Sequence, residues 1–186
     1  MKALPKRALD SGKLARLVNH GPTVLVTSAH TGRDNIITLA WCMPVSIRPP
    51  MVGVAIAPAR FSHDLIRDSG EFTVNVPHAG LLDAVWRCGT VSGRDGDKFA
   101  ASGLTRCEPS VIGAPLIDEC IAHIECRVDS APVAGDHTVF MGTAVAASVE
   151  DGAFDGRLTL RDRHHTLHHL GGSEFLTSAG EIISAA

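Results

Sequence analysis

A chain of 186 residues with 17 Lys and Arg against 20 Asp and Glu carries a formal net charge of −3, and its cations form no basic arm, which excludes a nucleic-acid partner held by phosphate neutralisation. Its apolar runs are broken by Pro, Gly or charge short of the roughly 18 residues of a spanning helix, and no apolar core follows Lys2, Lys6 and Arg7 as a signal peptide requires, so the expectation is a cytoplasmic protein with no membrane partner. Five cysteines without a CxxC fit a reducing compartment, and the length suits one domain over residues 1–186 that buries about 70% of its unfolded surface.

In chain order, residues 11–18 carry Leu14, Leu17 and Val18 at helical spacing, which predicts a short amphipathic covering helix. Residues 23–27, 35–41 and 51–56 are rich in β-branched side chains and are separated by turn chemistry at Thr31-Gly32-Arg33-Asp34 and Pro49-Pro50. They predict three consecutive antiparallel strands. Ser62 as N-cap, Asp64 and Gly70 frame a short helix, and a strand over 71–76 follows at once. Residues 81–88 and 97–101 predict helices, and 113–115 a break. Residues 121–128 and 138–149 form two long β segments, with a weaker one near 157–160. No repeat or linker is visible. At least six strands with a few short helices predict a mainly β (α+β) fold, a barrel dressed by helices.

Several groups could carry chemistry. On a strand, Asn35, Ile37, Leu39 and Trp41 share one face over roughly 20 Å at about 3.3 Å per residue, long enough to run beside an extended cofactor. On pattern alone, a half-buried strand with Trp41 as core is the commoner reading. Ser62 with the first-turn N–H groups and Arg60 nearby could hold a phosphate, although most N-cap serines only cap. The SGRDGDKF run from Ser92 to Phe99 supplies Gly93, Gly96, Arg94 and Lys98, a loop able to close over an anion; a solvated turn is the commoner case. His164, His165, His168 and His169 would pair at i, i+4 on a helix, a zinc or nickel spacing, but no HExxH glutamate accompanies them. Cys42 beside Trp41 could be a redox thiol, yet no resolving cysteine lies near it in sequence. No GxGxxG follows a strand, so a Rossmann nicotinamide site is absent.

It is the ordered set of motifs that resembles a family. Thr27, Gly32 with Asn35, TLAW at Thr38 to Trp41, Pro44-Val45-Ser46 before Pro49-Pro50, Ser62, GEFTVN from Gly70, and SGRDGDKF fall in the order and spacing of the flavin reductase-like, FMN-binding split-barrel family. The resemblance runs from Pro22 to Phe175 and is strongest to the flavoredoxin branch. It implies an FMN-binding split β-barrel of Greek-key type with short covering helices, assembled as a homodimer. It implies that Asn35 and Trp41 line the flavin, with backbone groups of Thr38, Leu39, Ala40 and Trp41 at the ring. Ser62 and Lys98, helped by Arg60, would bind the phosphate. His137 would lie near the flavin, from its own chain or across the dimer interface. Phe175, in the LGG-x-x-F segment from Leu170, stands where the family commonly has Tyr.

The activity implied is hydride transfer from NAD(P)H to flavin and on to free flavin or another acceptor, with no side-chain nucleophile, the nicotinamide stacking on flavin without a Rossmann domain. Two alternatives stand beside it. One is an FMN electron carrier serving a partner redox protein without its own NAD(P)H turnover. The other is a flavin-free β-barrel that binds metal through residues 164–169.

Overall fold

The computed structural model describes residues 4–179. After a 3₁₀ helix over Ser11–Leu17, β1 (Val24–His30) turns back into β2 (Arg33–Leu39). The two-residue turn has positive φ at both Thr31 (47°) and Gly32 (76°), the geometry that matches the twist of a tight hairpin. A second hairpin, β3 (Cys42–Ile47) and β4 (Pro50–Ile56), precedes α1 (Phe61–Ser69) and β5 (Glu71–Val76). Next come α2 (Leu82–Thr90), α3 (Lys98–Ser102), β6 (Arg106–Cys107), β7 (Leu116–Ile117), β8 (Ala122–Ser130), β9 (Val133–Ala134), β10 (His137–Val149), β11 (Leu167–Gly171) and β12 (Glu174–Thr177).

The main sheet is antiparallel with strand order β2-β1-β5-β8-β10-β4-β3, and β9 adds to β10. Its two edges, β2 and β3, are consecutive in sequence and joined only by Ala40 and Trp41. Such a link spans little more than 10 Å at about 3.3–3.6 Å per residue, so the sheet must curl until its edges meet at that corner. The result is a barrel left split along the β2–β3 seam. Register shifts in β10 between Met141 and Gly142 and between Ala144 and Ala146 help it bend. Gly142 is required there: a Cβ would stand 2.7 Å from the ring of Phe72, which is fully buried.

β1 explains how the barrel is held. Val24 and Val26 point into the barrel with Ile37, Val54, Phe72 and Phe140. Leu25 points outward into a second core with Ile36, Val85, Phe99 and Ile117, beneath α2 and α3. A strand covered on both faces reads as an unbroken apolar run, as TVLVT does. Gly70 ends α1 in the left-handed region (φ 70°) and closes the helix with a bond from its N–H to Ile66 O.

Four expectations are corrected. Within 11–18 the helix is a 3₁₀ helix over Ser11–Leu17 with Val18 as its C-cap, and Leu14, Leu17 and Val18 stay exposed, so its apolar side chains cover nothing; Asp10 caps it tightly at Gly12. The second strand begins at Arg33 and stops at Leu39, which leaves Trp41 on the corner. Pro44 disguised β3, but an edge strand tolerates the missing N–H. Around 157–160 there is only an isolated bridge between Phe154 and Leu158. No helix among the described residues is long and apolar enough to cross a membrane.

Candidate flavin cleft

A cleft of about 570 Å³ lies at the split, bounded by β2, the Ala40–Trp41 corner, the end of β4, the start of α1, the end of α2 and the 91–94 loop. That volume is in the usual range for a cofactor site.

One end is aromatic. The Trp41 ring, 42% exposed, packs against His137 with centroids 4.6 Å apart. His137 Nδ1 contacts Asp136 Oδ1 at 2.7 Å, and that hydrogen bond lowers the Asp136 carboxyl below its ordinary range. Ala55 N donates to Trp41 O at 3.0 Å, pinning the corner to β4.

The floor is the open edge of β2. Lys98 Nζ donates to Ile36 O, so the Ile36 carbonyl points away from β1. In an antiparallel strand the backbone groups alternate sides, which turns those of Thr38 to the same open edge. Thr38 Oγ1 donates to Val85 O at 2.5 Å and fastens α2 along β2. Gly89 permits the close approach, since a Cβ there would come within 3.3 Å of Thr38 Cβ.

The other end is cationic. Arg60, Arg94 and Lys98 line it, whereas among the described residues the only carboxylate lining the cleft is Asp136, beside the aromatic end. Arg60 is the N-cap residue of α1 and makes no side-chain capping bond, and the helix start presents its first N–H groups there. Arg94 donates to Ala59 O and to Asp64 Oδ2 at 2.7 Å, tying the loop to α1. Lys98 Nζ donates to Ile36 O at 2.8 Å and Cys88 O at 2.7 Å, which leaves one of its three protons for the cleft; burial pushes its pKa down. Asn35 Nδ2 donates to Ser62 Oγ at 2.8 Å, while its buried Oδ1 has no partner among the described residues. Gly93 is pressed on that oxygen so closely that a Cβ would stand 2.0 Å from it.

Of the expected site residues, the structure gathers Asn35, Thr38, Leu39, Ala40, Trp41, Arg60, Lys98 and His137 around one cleft, with His137 supplied by the same chain. Two stand behind it. Ser62 is not the N-cap; it is fully buried two residues after it, and its hydroxyl holds Asn35 rather than opening to the cleft. Phe175 packs on His169, which does line the cleft, with centroids 4.9 Å apart. Residues missed from sequence include Asp136 and the Cys88–Thr90 end of α2, whose only signal was proximity to His137 and a helix end. The histidine run does not form the helical i, i+4 pairs expected of it. His164 ends a 3₁₀ turn, and His168 and His169 sit next to each other on β11, on opposite faces. Among the described residues no three His, Cys, Asp or Glu side chains group to hold a metal ion. Burial pushes the Cys42 thiol up to about 11, so it is no thiolate near neutral pH.

A curled antiparallel sheet, split beside a cleft with an aromatic and a cationic end, is the split β-barrel of flavin reductase-like, FMN-binding proteins. Residues 16–168 match the family described as flavin reductase like domain, and the chain belongs to that family. It is 38% identical over 174 residues to the uncharacterized protein YddH of Escherichia coli K12, covering 90% of this chain and 92% of that protein. It is 28% identical over 153 residues to the NADH:riboflavin 5'-phosphate oxidoreductase of Streptomyces pristinaespiralis, covering 82% and 84%. The fold superposes on flavoredoxin from Methanosarcina acetivorans with a TM-score of 0.84 at 25% identity, covering 98% and 96%.

The residues present fit FMN. A flat ring needs an apolar wall and backbone partners, and a phosphate needs cations and free N–H groups. The aromatic corner with the open edge of β2 meets the first need, and Arg60, Lys98 and the start of α1 meet the second.

Proposed function

We propose that this protein binds FMN in the split-barrel cleft and acts as an NAD(P)H-dependent flavin oxidoreductase, passing electrons to free flavin or another acceptor. The observation that carries the reading is the polarity of one continuous cleft: Trp41 and His137 at one end, Arg60 and Lys98 at the other. Bound FMN would supply the hydride chemistry. The chain's own residues position and hold charge. The backbone of Thr38 to Trp41 meets the ring, Trp41 shields it from water, and Asp136 fixes the orientation of His137 beside it. Asn35, held by Ser62, ties the start of α1 to the cleft wall, with its Oδ1 buried under Gly93.

We also infer a homodimer, supported by an exposed apolar row, Met43, Val45 and Ile47, on the edge strand β3. The likeness to flavoredoxin supports a second reading, an FMN electron carrier serving a protein partner. Steady-state NAD(P)H oxidation with and without added free FMN separates the two. Turnover that rises with free FMN is the expected result. Yellow protein with no NADH or NADPH oxidation favours the carrier, and colourless protein that cannot be loaded with FMN overturns both.

A further inference from the structure

A second cleft of about 570 Å³ opens beside the first and shares Asn19 and His169 with it. Arg16 is the one charged side chain that lines it among the described residues, beside His20 and His168. Arg16, exposed on the first 3₁₀ helix, lies over the β11–β12 hairpin. A Cβ on Gly171 would stand 3.1 Å from Arg16 Nη1, so the bare glycine backbone lets the guanidinium lie close. His168 Nδ1 donates to His20 O at 3.0 Å, which binds the two histidine segments together at the mouth. Leu170 and Leu176, both exposed, form an apolar flank. At the junction of the clefts, Asn19 Oδ1 is buried and has no partner among the described residues, an acceptor turned to no donor.

A nicotinamide dinucleotide has two charged phosphates one ribose away from its reactive ring. The chain has no glycine-rich phosphate turn after a strand to hold them, so they must meet cations elsewhere, within reach of the flavin cleft. We propose that the second cleft receives the adenosine diphosphate end of the reductant. Arg16 and the imidazole of His20 face the diphosphate, Leu170 and Leu176 take the flat adenine, and Asn19 spans the junction where the ligand crosses between clefts. This inference rests on the flavin oxidoreductase reading of the first cleft.

ADP-ribose is the probe, because it carries the diphosphate and adenosine but no nicotinamide and so undergoes no hydride transfer. Calorimetric titration into FMN-loaded protein is expected to show binding, weakened by roughly 10–150-fold in Arg16→Ala through loss of a charge-assisted contact. Fluorescence titration of FMN itself should be unchanged in that variant, whose side chain lies outside the flavin cleft. The proposal is overturned if FMN-loaded protein binds no ADP-ribose, if Arg16→Ala binds it as tightly, or if a second equivalent of FMN occupies the cleft and excludes it. Protein that takes up no FMN counts against the reading of the first cleft. The same ADP-ribose titration on the flavin-free chain then decides the second cleft separately, with the same two outcomes for Arg16→Ala.

Discussion

Asn35 is wedged between α1 and the 91–94 loop at the cationic end of the cleft. Its amide is held by Ser62 and its free oxygen lies under Gly93, where a Cβ would stand 2.0 Å away. Gly93→Ala must therefore displace Asn35, a shape clash that costs about 1–3 kcal/mol. Fluorescence titration is expected to show FMN affinity down at least about tenfold in Gly93→Ala. Gly96→Ala has open space around it and serves as the neutral control. Equal affinities for the two variants would remove Asn35 from the site.

His63 is a residue-scale source of pH dependence. It lies behind the cleft, bonded to Thr138 Oγ1 at 2.9 Å and edge-on to Phe140. Burial above all lowers its pKa from the ordinary 6.5, against the charge of Asp64. The folded protein thus takes up this proton later than the unfolded chain as pH falls. Stability linked to His63 is present above about pH 6.5 and is lost downward from there to its folded pKa. Thermal melts should show a fall in Tm between pH 7.5 and 5.5 that is smaller in His63→Gln. Parallel curves would show that His63 is not its source.

Among elements, the long connection between α3 and β8 has few regular bonds of its own and is held by buried side chains instead. The Glu125 carboxylate, on β8, accepts from the N–H groups of Ser110, Val111 and Ile112. Desolvation pushes its pKa up, but these three donors outweigh it and leave the carboxyl lower than usual. Asn75, on β5, accepts from Ile117 N while donating to Leu25 O. Glu125→Gln keeps the shape but gives up charge on the acceptor, and urea unfolding at pH 7 should register a loss of about 1.5–3 kcal/mol. No change would mean that the loop is held by its apolar contacts alone.

The elements also show what was legible in the sequence. Strands with β-branched runs and the hairpin turn at Thr31-Gly32 could be read directly, because period-two patterning and turn chemistry are local. β3 could not, since Pro44 and the exposure of Met43, Val45 and Ile47 imitate a loop; only its place at the sheet edge makes it a strand. Residues 11–18 have helical spacing, but spacing does not say whether a surface exists for the apolar face to cover. Most of the expected residues that line the cleft came from the ordered motifs. Ser62 misled because a hydroxyl at a helix start looks the same in sequence whether it faces a ligand or, as here, a buried amide.

At the scale of the whole molecule, the split in the barrel is both the proposed ligand site and the place where the sheet leaves an unpaired edge. If the homodimer forms, FMN should stabilise whichever assembly state binds it better, by about 2.7 kcal/mol at a hundred times its dissociation constant for exclusive binding. Sedimentation velocity at matched concentrations is expected to show a tighter dimer with FMN than without it. A monomer with full FMN affinity would separate the cleft from assembly.

The most direct test of the cleft assignment compares ligands that differ only in the phosphate. Titration of flavin-free protein with FMN and with riboflavin, followed by flavin fluorescence, should give an FMN affinity at least about tenfold higher, the effect of one or more charge-assisted contacts at the cationic end. Equal affinity for riboflavin, or no binding of either, would contradict the assignment of Arg60, Lys98 and the start of α1 as the phosphate end of a flavin site.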